Sequence, residues 1–143
     1  MSRLARRLAR ASMVGTAAFA LGVIGAPLSA QDDDVTTLDS VYTTEQAEKG
    51  RELYQKACAG CHTLDWYTGD IVRAWEGGSL FGLYEVIQST MPQDNPGSLR
   101  NREYVELLAY ILELNGLPAG ETPLSSRRSR LRAIRFQFEK ENH

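Results

Sequence analysis

Residues 54–62 read Tyr54-Gln55-Lys56-Ala57-Cys58-Ala59-Gly60-Cys61-His62, and the last five decide how the whole chain is read. Two thiols separated by two residues, followed at once by a histidine, form the C-x-x-C-H pattern through which haem is attached covalently. On a tight turn the two thiols can reach two vinyl groups on one side of a porphyrin and become thioethers, while the next residue swings an imidazole under the iron. Small Ala59 and Gly60 are expected to let that turn lie close to the ring.

Other chemistries for the pair are weaker. A structural zinc site needs about four ligands, and outside the first 30 residues the chain offers only Cys58, Cys61, His62 and His143, with His62 too close to Cys61 for easy tetrahedral chelation. A thioredoxin-like dithiol would need a βαβ context, and no strand pattern surrounds Cys58. The chain has no other cysteine, so no disulfide framework spans the fold.

Iron held on one face by His62 leaves the opposite face to be filled. The candidates are Met91, His143, a lysine or no ligand, because Met1 and Met13 fall in the N-terminal segment. A lone methionine is ordinarily a core gap-filler. Met91, however, stands 29 residues after His62, beside Pro92 and at the start of a turn-rich loop, a poor place for plain packing. Met91 is therefore the expected sixth ligand, and His/Met ligation raises the reduction potential relative to bis-histidine.

The N-terminus supplies a compartment. Residues 1–11 carry Arg3, Arg6, Arg7 and Arg10 without an acid, and residues 12–27 are almost wholly apolar or small. That layout predicts a secretory signal peptide over residues 1–30, cleaved after Ala30, and hence a periplasmic protein; an uncleaved anchor is the alternative. Only in that case is membrane contact expected. Removing it takes away four arginines and no acids, so the balance moves from 16 basic against 18 acidic residues to 12 against 18. The 113 residues left suit one small domain, which gains from a large apolar group to pack around.

Downstream, residues 31–42 read as an acidic, flexible leader. Thr43 with Gln46 forms a capping-box pattern ahead of a helix carrying Ala47, Gly50, Tyr54 and Ala57. Ser79 is the expected cap of a second helix with Leu80, Leu83, Tyr84 and Ile87 on one face, ending before Met91-Pro92. Asn101 is the expected cap of a third, with Tyr104, Leu107, Leu108, Ile111 and Leu112 as its apolar stripe and Asn115-Gly116 as its stop. Between them Trp66, Tyr67, Trp75, Phe81 and Tyr84 are expected to wall the haem pocket. The prediction is an all-α fold of about three main helices around one haem, spanning residues 43–117. The extension, residues 118–143, is Arg-rich and ambiguous: Leu131, Ile134 and Phe138 fit a helix face, whereas Ile134, Phe136 and Phe138 alternate like a strand. It is expected to pack across the domain, with binding of an acidic partner or anionic lipid as the alternative.

These features together resemble the class I cytochrome c family in its small bacterial periplasmic form, over roughly residues 43–117. The resemblance rests on the spacing of Gly50, Tyr54 and Cys58, on Cys58-Ala59-Gly60-Cys61-His62, on Met91-Pro92, and on Leu107 with Tyr110 in the last helix. It implies that the first and last helices cross at Gly50, with Tyr54, Leu107 and Tyr110 around the crossing. The chain departs from many members in having no proline between Cys61 and Met91, so the acceptor for the His62 Nδ1 proton is not assigned, although some carbonyl is expected there.

The expected function is one-electron transfer without catalysis, by a monomer holding one haem c through Cys58 and Cys61 with His62 and Met91 as iron ligands. Partners would be redox proteins: a periplasmic dehydrogenase, for which the Gly-Gly-Ser-Leu, Thr-Met-Pro and Leu-Ala-Tyr-Ile-Leu stretches look like cytochromes serving quinoprotein alcohol dehydrogenases, and a terminal oxidase or another cytochrome. No nucleic-acid partner is expected. The alternatives are a subunit of a larger oxidoreductase, favoured by the arginine-rich extension, and a haem enzyme with an open iron position.

Overall fold

The computed structural model describes residues 34–139, so the expected signal segment and His143 lie outside the described residues. Among the described residues it is helical, with α1 (Thr44–Ala57), α2 (Asp70–Arg73), α3 (Leu80–Thr90), α4 (Asn101–Leu114) and α5 (Arg128–Ala133), plus a 3₁₀ turn at Leu64–Tyr67. The all-α expectation holds, with α1, α3 and α4 as its three main helices.

Local chemistry explains the ends of these helices. The Thr43 hydroxyl accepts from the Gln46 N–H and the Gln46 side chain reaches back to the Thr43 N–H, which completes the expected capping box. Gln46 also accepts from the Leu124 N–H at 2.7 Å and donates to its carbonyl at 3.0 Å, pinning the connector after α4 to the start of α1. At the end of α4, Gly116 takes φ +72°, which lets Leu117 N–H reach Leu112 O and Gly116 N–H reach Glu113 O, both orphan carbonyls of the last turn.

Two expected caps differ. Ser79 occupies the cap position of α3 but makes no side-chain cap bond; the Leu80 N–H is instead satisfied by the Ile134 carbonyl at 2.8 Å. At α4 the cap is Arg100, whose N–H is accepted by Glu103 at 2.8 Å. Asn101 is the first helical residue, and its side-chain oxygen accepts from Tyr84 and Gln88, tying α3 to α4.

The core is built on α1 crossing α4. A side-chain carbon at Gly50 would collide with the Glu106 backbone, so only glycine allows the two helices this close, as expected. Tyr54 and Tyr110 lie against each other at the crossing, ring centroids 5.8 Å apart.

The extension joins this core. Its Leu131, Ile134, Phe136 and Phe138 are all buried. Both patterns read from it occur in succession: Leu131 faces inward from α5, and the extended residues 134–138 then alternate buried and outward-facing side chains. That extended stretch lies between residues 35–37 and 77–80, through Arg135 N–H to Val35 O, Thr37 N–H to Arg135 O, Gly77 N–H to Phe136 O and Phe136 N–H to Gly78 O.

The leader is correspondingly different from its expectation. Residues 34–42 are packed rather than flexible: Thr37 is 0 % exposed, exchanging hydrogen bonds with the Gln137 backbone, and buried Tyr42 donates to Leu117 O at 2.7 Å. Acidic composition hid this, because what orders the segment is an extended stretch about 100 residues away in the chain.

Candidate functional site: the Cys58–His62 turn and its cavity

The last turn of α1 passes directly into the cysteine motif. Tyr54 O accepts from the N–H groups of both Cys58 and Ala59, and Cys58 O accepts from both Cys61 at 3.0 Å and His62 at 2.9 Å. This turn carries Cys58, Cys61 and His62 at i, i+3 and i+4, the spacing that puts side chains on one face. All three line one cavity of about 840 Å³. Cys58 is half-buried and Cys61 exposed, and both are free thiols. A Cβ at Gly60 would meet nothing within 4 Å, so nothing in the polypeptide itself demands glycine there.

Met91 lines the same cavity as His62, although 29 residues separate them in sequence. α3 ends at Thr90, Met91 closes it through its N–H to Ile87 O, and the Tyr104 hydroxyl of α4 donates to Met91 O at 2.8 Å. Sequence reasoning placed Tyr104 only in the apolar stripe; no spacing signal links it to Met91. Asn115 is a second such residue, donating to Tyr67 O at 2.8 Å and so fixing the 3₁₀ turn beneath His62.

Of the aromatic residues expected to wall the pocket, Trp66, Tyr67 and Trp75 do so. Trp66 lies 5.3 Å from the His62 ring, between centroids, and is 56 % exposed. Phe81 and Tyr84 do not line it. Their positions on α3 turn them into the core instead, where Tyr84 packs on Tyr104 and Phe81 faces α5. Aliphatic Leu83, Ile87, Leu107 and Ile111 supply the rest of an apolar wall.

Around His62, Tyr54 donates its hydroxyl to the backbone carbonyl at 2.8 Å, which anchors the residue. The ring nitrogen Nδ1 is buried without a hydrogen-bond partner among the described residues, so the carbonyl acceptor expected there is not found. The Tyr67 hydroxyl is pushed well above its ordinary range, chiefly by burial and then by the Cys58 sulfur beside it. Burial likewise raises the Cys58 thiol, partly offset by the hydrogen bond from Tyr67. A thioether at Cys58 would remove that titration altogether.

These observations test whether the residues fit a haem. The cavity is within the range of ligand sites, roughly 300–1,000 Å³, its wall is mostly apolar, two thiols sit on its rim at the required spacing, and a histidine and a methionine both face it. They fit. A zinc site does not, since among the described residues no three His, Cys, Asp or Glu side chains gather to hold a metal ion.

Residues 45–111 match the family described as cytochrome C oxidase, cbb3-type, subunit III. Neither the curated proteins nor the solved structures contain a significant match to the chain. The matched span runs from the first turn of α1 to Ile111 in α4 and encloses every residue that lines the cavity, and so the chain carries a c-type cytochrome domain.

Proposed function

We propose that the protein is a periplasmic one-electron carrier that would hold one covalent haem c through Cys58 and Cys61, with His62 and Met91 as the side chains that would bind its iron. The observation that carries this reading is that His62 and Met91, from separate elements, line one apolar cavity whose rim bears both thiols. When bound, the haem supplies a one-electron redox change at its iron. The chain's own residues then have distinct tasks. Tyr54 holds the His62 backbone, Tyr104 holds that of Met91, and Leu83, Ile87 and Leu107 keep water from the cavity. Dry, rigid surroundings suit electron exchange because little solvent or protein must reorganise when the charge changes. Two ligating side chains leave no open iron position for a substrate, and the reading is accordingly a carrier and not an enzyme.

The periplasmic assignment is supported by the basic, then apolar, N-terminal segment; among the described residues no helix is long and apolar enough to cross a membrane. Donors would be periplasmic dehydrogenases, among them quinoprotein alcohol dehydrogenases, and acceptors an oxidase or another cytochrome. The match to a family named for an oxidase subunit favours a second reading, in which the domain works as a fixed component of a larger oxidoreductase. Native size separates the two: a carrier migrates at the mass of one chain plus haem, a component co-migrates with its complex.

The test of the haem reading is the visible spectrum of protein exported from a host that attaches haem. A low-spin reduced form and an oxidised form with the weak long-wavelength band of methionine–iron ligation are expected. A high-spin iron that takes up added ligands would move the open-site enzyme ahead.

A further inference from the structure

The arginines of the extension are the densest run of basic charge among the described residues of an otherwise acidic body. Residues 34–126 hold 14 acidic and 6 basic side chains, whereas residues 127–139 hold five arginines and one glutamate. Arg135 is committed, paired with Asp34 at 3.0 Å and donating to Gly77 O. Arg127, Arg128, Arg130 and Arg132 are exposed and make no ion pair among the described residues; Glu85, one turn along α3 from Phe81, makes none with them. Two of the four are held in place, with the Arg132 guanidinium 4.0 Å and that of Arg128 6.0 Å from the Phe81 ring centroid.

The position of this cluster follows from α3. At about 100° per residue, Leu83, Val86, Ile87 and Thr90 share the face that lines the cavity, and Phe81 falls on the opposite one. Arg128 and Arg132 therefore lie across α3 from the haem cavity, and Arg127 and Arg130 are exposed on the same short segment.

We infer that Arg127, Arg128, Arg130 and Arg132 form a docking surface for the acidic face of a partner protein, which holds the cytochrome from behind and leaves the haem cavity open. Charge selects such an occupant: acidic groups approaching elsewhere meet a surplus of carboxylates, so only this end attracts them. The patch is all arginine, whose planar fork pairs carboxylates bidentately, and stacking on Phe81 lowers the entropy lost on binding. A bilayer is disfavoured as occupant because the apolar side chains of the segment, Leu131, Ile134, Phe136 and Phe138, are already buried in the core and leave no face to insert.

The test uses the full haem-loaded chain and poly-L-glutamate as the acidic probe, with affinity measured against salt. Binding that weakens with salt is expected, about tenfold weaker in Arg127→Gln/Arg130→Gln, two residues that are exposed and make no ion pair among the described residues. The control Lys49→Gln/Lys56→Gln on α1 makes the same change in net charge and is expected to leave binding unchanged. Equal weakening in both variants would reduce the effect to net charge and overturn the proposal. So would tighter, Arg127- and Arg130-dependent binding to phosphatidylglycerol vesicles than to poly-L-glutamate, which would make the surface a membrane site. Reduction by dithionite should proceed at the same rate with the probe bound; slowing would place the contact over the cavity and refute its position.

Discussion

Gly50 and Glu106 bring α1 and α4 into backbone contact: a side-chain carbon added at Gly50 would lie 2.6 Å from the Glu106 carbonyl carbon and 2.8 Å from the Tyr110 Cβ. Neither neighbour can yield, since one is backbone and the other is packed on Tyr54. Gly50→Ala is therefore expected to destabilise the holoprotein by roughly 3 kcal/mol, read from chemical denaturation followed at the haem band. A loss below about 1 kcal/mol would mean that the helices separate without penalty.

On the proposed function, Met91→Ala should retain covalent haem, because Cys58 and Cys61 are untouched, yet lower the reduction potential and open the iron to carbon monoxide. Redox titration and carbon monoxide difference spectra measure both. An unchanged potential with no carbon monoxide binding would remove Met91 from the ligand set.

Cys58→Ala with Cys61→Ala should give little folded protein. The cavity of about 840 Å³ between α1, α3 and α4 has no other filling, and an apolar void of that size leaves its lining without packing partners. A stable helical circular dichroism spectrum with cooperative melting would count against it.

Phe136→Ala tests whether the extension belongs to the domain. The side chain is fully buried, and its loss should cost about 3–5 kcal/mol, the usual range for deleting a buried phenylalanine. The same denaturation assay decides; a cost near zero would describe a tail that merely lies on the surface.

Glu103 gives a pH dependence with a definite sign. Its carboxyl is held below the ordinary 4.5, first by the Arg100 side chain and then by the Arg100 backbone N–H. A depressed carboxyl adds stability that is fully present above its unfolded pKa and is lost as pH falls through the lower folded value. Glu103→Gln should thus melt lower than wild type at neutral pH, with the gap closing as pH drops below about 4.5. A gap that does not change with pH would show that the cap, not the charge, carries the effect.

The haem motif was readable from the sequence because it is local: Cys58, Cys61 and His62 fall within five residues, and one turn of backbone hydrogen bonds fixes their common face. The same holds for the Thr43–Gln46 capping box and the Gly116 stop, whose geometry involves only near neighbours. Met91 stands out as a candidate by elimination, as the one methionine outside the N-terminal segment. What draws it to the cavity, the hydrogen bond from Tyr104, joins two elements and has no periodicity to betray it.

Tertiary structure alone decided the rest. Phe81 and Tyr84 look like pocket aromatics by position, but the rotation of α3 about its axis, fixed by packing on α4 and α5, sends them to the other side. The acidic leader reads as solvated until residues 134–138 supply hydrogen bonds to it, and the N-terminus of α3 takes its acceptor from Ile134 rather than from Ser79. Composition and spacing report what a residue can do with its neighbours along the chain. Partners about 100 residues apart are chosen by how the helices pack, a property of the folded chain as a whole.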